Sequence, residues 1–276
     1  MEKFDPEIFK KLYIPPPNSH KGQNGKLMII GGSQLFHAAS LWSLKVASRI
    51  VDMVFYSSVP QNSQIVAKAK QEFRDGIVVP RNKIGDYIVE SDCILIGPGL
   101  PRKNGEEVGD DDTKDLTENL LKKYPDKKWV VDGGSLQTSA PSFIPSNSIL
   151  TPHVKEFEKI FDLRFKIKDL RMIREMAKKY NCTILLKGPV DVVCSPHKCV
   201  RISGGNAGMT KGGTGDVLAG LVAGLYCKND DPFLVASAAS FINKKAGESL
   251  FAKVGYYFNA SDLADEIPRV MKDLVV

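Results

Sequence analysis

The sequence predicts an α/β protein built on a central, mostly parallel sheet flanked by helices. Three observations carry this expectation. Short apolar runs alternate with longer stretches of helical period, several runs stop at a Gly, Pro or Asp, and Gly212-Gly213-Thr214-Gly215-Asp216 leads into a run that is apolar on every side.

Taken in chain order, the candidate strands are Leu27–Ile30, Met53–Tyr56, Cys93–Ile96, Trp129–Val131, Ile149–Leu150 and Thr183–Leu186. Open α/β sheets hold ligands beyond the carboxyl ends of their strands, so the segments that end these runs should gather along one edge. They are Gly31-Gly32-Ser33, Gly97-Pro98-Gly99, Asp132-Gly133-Gly134, Thr151-Pro152-His153 and Lys187-Gly188-Pro189. Val190–Val193 and Val200–Ser203 flank a turn at Ser195-Pro196-His197-Lys198 and read as a hairpin added to the sheet. Helices are expected over about Pro232–Leu250 and Asp262–Met271, with Ser261 as N-cap of the second. The stretch holding Gly105, Gly109 and Asp110-Asp111-Asp112 reads as a solvated insertion.

A chain of 276 residues can bury a sizeable core. It has no run of about eighteen apolar residues and starts with a charged segment, which reads as a cytoplasmic protein without a membrane span or leader. Five cysteines, odd in number and without zinc spacing, read as reduced, mostly buried thiols. The net charge of +6 is interleaved with acids, which suits a small anionic substrate better than nucleic acid.

The chemistry concentrates around Gly212, Gly213, Thr214 and Gly215. Glycines let backbone N–H groups converge, and the first turn of the following helix adds unpaired donors and the positive end of its dipole. Together these make an anion hole. The pattern is neither a Walker loop nor a dinucleotide fingerprint, and a tight turn with Asp216 as a plain first-turn acid remains an alternative. As chemistry, Asp216 beside an anion hole can take the proton of an attacking hydroxyl while the loop stabilises phosphoryl oxygens. Lys187 ends an apolar strand, where an unpaired ammonium is costly and a phosphate partner would relieve it. Asp132 serves equally as a helix cap, a turn acid or a ligand contact.

Over nearly its whole length the chain resembles the ADP- or ATP-dependent NAD(P)H-hydrate dehydratases of the ribokinase-like fold. The resemblance rests on His20-Lys21-Gly22 with Gly25, Ile30-Gly31-Gly32-Ser33, Ile96-Gly97-Pro98-Gly99-Leu100, Leu150-Thr151-Pro152-His153 with Glu156-Phe157, Leu186-Lys187-Gly188, and Gly208-Met209 followed by Gly212 to Gly220. It implies a three-layer ribokinase-like fold, one domain over residues 1–276, and nucleotide-driven dehydration of hydrated NADH or NADPH. Carried over by position, nucleotide contacts fall on Lys187, Gly188, Pro189, Val190, Asp191 and Gly215, and hydrated-cofactor contacts on Ala39, Gly99, His153 and Asp216. ADP or ATP would be the co-substrate, with a slight lean to ADP, and Mg²⁺ would accompany the phosphates. No metal-ligand cluster is read from the sequence. A homo-oligomer is expected, and a separate chain would carry the S/R epimerase.

The chain also departs from that pattern. Where the family usually has Asp-Ala-Asp-Ala, this chain has Asp132-Gly133-Gly134-Ser135, without the second carboxylate. Ala38, Gln137 and Val154-Lys155 replace other usual residues, and Lys211 places an extra positive charge beside the predicted anion hole. Rival readings are an alcohol kinase of the same fold, which would release a stable phosphate ester, and a nucleotide-sensing module without turnover.

Overall fold

A computed structural model describes residues 2–72, 74–102, 106–163 and 170–275. Its strands are β1 (Glu2–Lys3), β2 (Lys26–Ile30), β3 (Met53–Ser57), β4 (Ile77–Val78), β5 (Cys93–Ile96), β6 (Lys128–Val131), β7 (Ile149–Leu150), β8 (Thr183–Leu186), β9 (Asp191–Cys194) and β10 (Cys199–Ile202). They form one sheet in the order β1-β10-β9-β8-β7-β6-β5-β2-β3-β4. From β8 through β4 every neighbour is parallel, and β9 pairs antiparallel with both β8 and β10.

The helices are α1 (His37–Ala47), α2 (Pro60–Ala69), α3 (Ile84–Glu90), α4 (Thr113–Lys123), α5 (Gly133–Thr138), α6 (Val154–Ile160), α7 (Leu170–Lys179), α8 (Thr214–Tyr226), α9 (Pro232–Val254) and α10 (Ala260–Val275). Period-two alternation along the strands divides the core between the two faces of the sheet. Leu27, Ile29, Leu95 and Val130 point into one cluster, shared with α1, α2, α8, α9 and α10. Met28, Ile30, Ile94 and Ile96 point into the other, shared with α3 to α7. Because both faces are covered, the central strands are apolar without interruption, which is why the sequence shows them as solid runs. Each such side chain contributes on the order of 1.5–3 kcal/mol by leaving water.

All six sequence-predicted strands form, as does the hairpin at Ser195–Lys198. The two edge strands β1 and β4 went unread: Glu2–Lys3 is charged, and Ile77–Val78 is a short edge pair whose Ile77 is exposed, so neither shows as a buried apolar run. The thiol reading needs correction. Register sets Cys199 opposite Cys194, with Cα atoms 4.2 Å apart, and the two form a disulfide across the hairpin, while Cys93, Cys182 and Cys227 are buried and free. The sequence separation of five hid this pair, because only the antiparallel register brings its members together.

Capping explains the last helices. Asp231 Oδ1 accepts from the N–H groups of Phe233 and Leu234, with Pro232 opening α9. At α10 the cap is Asn259, whose Oδ1 accepts from the N–H of Ser261 and of Asp262. Ser261 does not cap; its hydroxyl accepts from the Trp42 indole at 3.0 Å. The acidic run after Gly109 is also more engaged than expected. Asp110 accepts from the Gln34 N–H, Asp111 pairs with Arg81 at 2.6 Å, and Asp112 caps α4; Gly105 lies outside the described residues. No described helix is long and apolar enough to cross a membrane.

Candidate active site

At the carboxyl edge, the order of strands reverses around β2, whose neighbours are β3 and β5. Loops diverge at such a point and leave a crevice. After β5 the chain turns through Gly97, at φ +122°, and Gly99, at φ +70°. A Cβ on Gly99 would lie 3.0 Å from the Cβ of Ala39, so these two expected substrate contacts touch. A Cβ on Gly97 would overlap the carbonyl oxygen of Asp132, which locks the β5 and β6 loops together.

Asp132 follows β6, is buried, and makes no side-chain cap to α5. Its Oδ1 instead accepts from Thr151 Oγ1 at 2.7 Å and from Lys187 Nζ at 2.8 Å. The Lys187 ammonium is therefore paired within the protein by Asp132, and the residue also lines a cavity beyond that strand end. Burial alone would pull the pKa of Lys187 down, but the charges of Asp132, Glu156 and Asp216 outweigh it and leave it raised. Lys187 also reaches the glycine-rich turn, since a Cβ on Gly215 would sit 3.4 Å from its Nζ.

The turn itself begins in open space at Gly212 and passes through Gly213, whose φ of +95° only glycine adopts readily. A Cβ there would also strike the Trp42 ring at 2.3 Å. Thr214 Oγ1 donates toward the carbonyls of Met209 and Lys211 and ties the loop to the helix start. Val217 N–H makes a helical bond to Gly213 O, so the N–H groups of Gly215 and Asp216 lie in the first turn, ahead of any i−4 partner inside α8. Asp216 is half-buried there, and burial first, then the nearby Asp132 charge, push its carboxyl up to about 7 against the pull of Lys187. A carboxyl in that range is matched to proton transfer near neutral pH.

His153 pairs as an isolated bridge with Lys187 past the ends of β7 and β8. Its Nδ1 accepts from the Glu156 N–H at 3.1 Å and Glu156 Oε2 accepts from the His153 N–H at 3.0 Å, a capping box for α6. The backbone satisfies one face of this histidine while the residue also lines a cavity. Gln137 Nε2 steadies Glu156 Oε1 at 3.0 Å.

That cavity, of about 690 Å³, brings His153, Lys187, Gly188, Pro189, Asp191, Thr214 and Gly215 together. Val190 is exposed beside it. The cavity wall also holds Gly204, Asn206, Met209, Leu218, Asn243 and Lys244; Met209 and Leu218 lie in the motifs of the resemblance, but none of the six was expected as a contact. Their signal was faint: Asn243 and Lys244 are a polar pair inside the small, apolar face of α9. Lys211 turns away from the anion hole, its Nζ donating to the carbonyls of Tyr256 and Phe258, the latter at 2.6 Å. Its charge ties down the segment before α10.

A family model described as NAD(P)H-hydrate dehydratase matches residues 27–269. The chain belongs to that family. The bifunctional NAD(P)H-hydrate repair enzyme of Methanocaldococcus jannaschii is 37% identical over 274 residues, a match covering 95% of this chain and 51% of that protein, so the chain spans about half the length of this relative. The ADP-dependent (S)-NAD(P)H-hydrate dehydratase of Nitrosopumilus maritimus is 33% identical over 279 residues, covering 95% of this chain and 94% of its own. Among solved structures, the ADP/ATP-dependent NAD(P)H-hydrate dehydratase of Bacillus subtilis, co-crystallized with ATP/Mg²⁺, superposes with a TM-score of 0.81 at 24% identity, over 99% of this chain and 98% of that one. The dehydratase family thus shares with this chain the ribokinase-like, three-layer fold that the sequence led us to expect.

Proposed function

We propose that this protein restores NADH or NADPH from the hydrated cofactor, using ADP or ATP to phosphorylate the ring hydroxyl and then eliminating phosphate. The observation that carries the proposal is Asp216, on the first turn of α8 beside Lys187 and the glycine-rich turn, in a chain of this family.

The hydroxyl of the hydrated ring is a poor leaving group until it is phosphorylated. Asp216 as carboxylate takes the hydroxyl proton while the oxygen attacks the terminal phosphorus and the shortened nucleotide departs. First-turn N–H groups of α8 and Lys187 face the charge that builds on the phosphoryl oxygens. The C–O bond then breaks with its electrons leaving on phosphate, the ring nitrogen lone pair assists, and a proton lost from the adjacent ring carbon restores the double bond. In this reading the hydrated ring lies toward Ala39, Gly99 and His153, and the nucleotide lies in the cavity beyond Lys187 and Gly188 to Asp191.

Among the described residues no group of three or more His, Cys, Asp or Glu side chains could hold a metal ion. With Asp132 Oδ1 already engaged by Thr151 and Lys187, Mg²⁺ would be carried on the nucleotide phosphates with most of its waters. Purified protein mixed with hydrated NADPH and ADP or ATP should regain the absorbance of the reduced nicotinamide. A stable phosphate ester in place of that recovery would overturn the dehydration step and leave a kinase.

A further inference from the structure

Resting on the reading of the 690 Å³ cavity as the nucleotide site, we propose that Asn243 reads the base of the nucleotide and selects a 6-amino purine. Asn243 lies on α9, is only 5% exposed, and lines this cavity. Its Oδ1 is buried and has no hydrogen-bond partner among the described residues.

The neighbouring polar side chains are spoken for. Lys244 Nζ approaches the carbonyls of Gly188 and Pro189 at 3.2 and 3.3 Å and Asp191 Oδ1 at 3.3 Å. Asp191 in turn accepts from Gly188 N–H and Ser240 Oγ, and Asn206 donates to Gly247 O while accepting from Gly208 N–H. Of the eight buried side-chain atoms without a hydrogen-bond partner among the described residues, the Asn243 acceptor is the one that belongs to a residue lining this cavity, where a ligand or water can supply the missing donor.

Position and chemistry agree on the partner. Lys187 and Gly215 mark the phosphate end, and Leu218, one turn further along α8, shares the wall with Asn243. Leu218, Ala207 and the thioether of Met209, which packs where Gly205 and Gly247 lack side chains, give a flat heterocycle apolar faces. The oxygen and nitrogen of a carboxamide exchange places by rotation about its terminal bond, so the oxygen turns toward the cavity when a donor arrives there. A 6-amino group is such a donor, and a carboxamide pairs with it and the adjacent ring nitrogen together. A purine without that group leaves the oxygen unpaired.

The test compares ADP with purine riboside 5′-diphosphate, which differs from it only by lacking the amino group, in calorimetric titrations. Wild type should bind ADP more tightly by roughly five- to tenfold, the worth of one neutral hydrogen bond. Asn243→Leu should bring the two affinities together by weakening ADP alone. Equal affinities in the wild type, which needs no variant to fold, would overturn the assignment, as would an Asn243→Leu protein that keeps the preference. Binding of neither nucleotide would overturn this assignment together with the nucleotide-site reading beneath it, whereas tight ADP binding without discrimination overturns this assignment alone.

Discussion

Lys187 and Asp132 meet at 2.8 Å although their strands, β8 and β6, are not neighbours. The strand between them, β7, is followed by Thr151, whose hydroxyl donates to the same Asp132 oxygen at 2.7 Å. Three successive strand ends are thus fastened to one carboxylate, and what the lysine does for a phosphate can be separated from what it does for the fold.

Lys187→Met should lower stability by about 3 kcal/mol, because it strands a buried carboxylate whose remaining side-chain donor is Thr151. It should also raise the nucleotide KM by roughly ten- to a hundredfold, the loss of one charge-assisted contact. Adding Asp132→Asn should restore most of the stability and none of the affinity. Urea denaturation and nucleotide titration of both proteins check this, and a double variant that recovers both would reduce Lys187 to a structural role.

The rate should follow the ionisation of Asp216. Its carboxyl is raised to about 7, so kcat/KM should climb as pH rises through about 7 and fall about tenfold per unit below it. Asp216→Asn should lose about 10²–10⁴-fold in turnover and lose this acid limb, while still binding nucleotide. An acid limb that persists in the variant would assign the titration to another group.

The same shift has a sign for stability. Folding holds Asp216 at about 7 against an ordinary 3.8, so the ionised form is disfavoured in the fold and the protein is less stable with this carboxylate than with a neutral side chain. The penalty is absent below the ordinary value, grows through the interval up to about 7, and is constant above it. Asp216→Asn should therefore raise Tm at about pH 8 and give a gain that vanishes toward about pH 4. A gain independent of pH would argue against the linkage.

Gly134 stands where the family usually has a second carboxylate, and a Cβ there would come within 2.3 Å of the Leu100 carbonyl oxygen. Gly134→Ala should cost about 1–3 kcal/mol by overpacking and should disturb the Gly97–Leu100 loop before it disturbs the nucleotide cavity. Thermal melts with kinetics for each substrate test this: the hydrated-cofactor KM should rise while the nucleotide KM holds.

Most of the fold was legible because the central strands are apolar on both faces and each ends in residues with special backbone demands. Lys187, Gly188, Pro189, Asp191, Thr214 and Gly215 line one cavity, as their motifs suggested, since each lies at a strand end or a helix start. What stayed hidden depends on tertiary register. Cys194 and Cys199 pair only because β9 and β10 run antiparallel, and Lys211 finds its partners 45 and 47 residues away at Tyr256 and Phe258. Asn243 and Lys244 were missed because a helix reveals its cavity-facing residues only once its packing is known.

The seam between α8 and α1 also limits how this sequence can drift. A Cβ on Gly220 would meet the backbone of Ser43 at 2.6 Å, and Ser43 Oγ already donates to the Asp216 carbonyl. Adding a single methyl group there would wedge apart the helix that carries Asp216 and the one that carries Ala39, altering the gap between these two residues without touching either. Inherited variation should therefore be scarcest along α8 where its side chains are smallest.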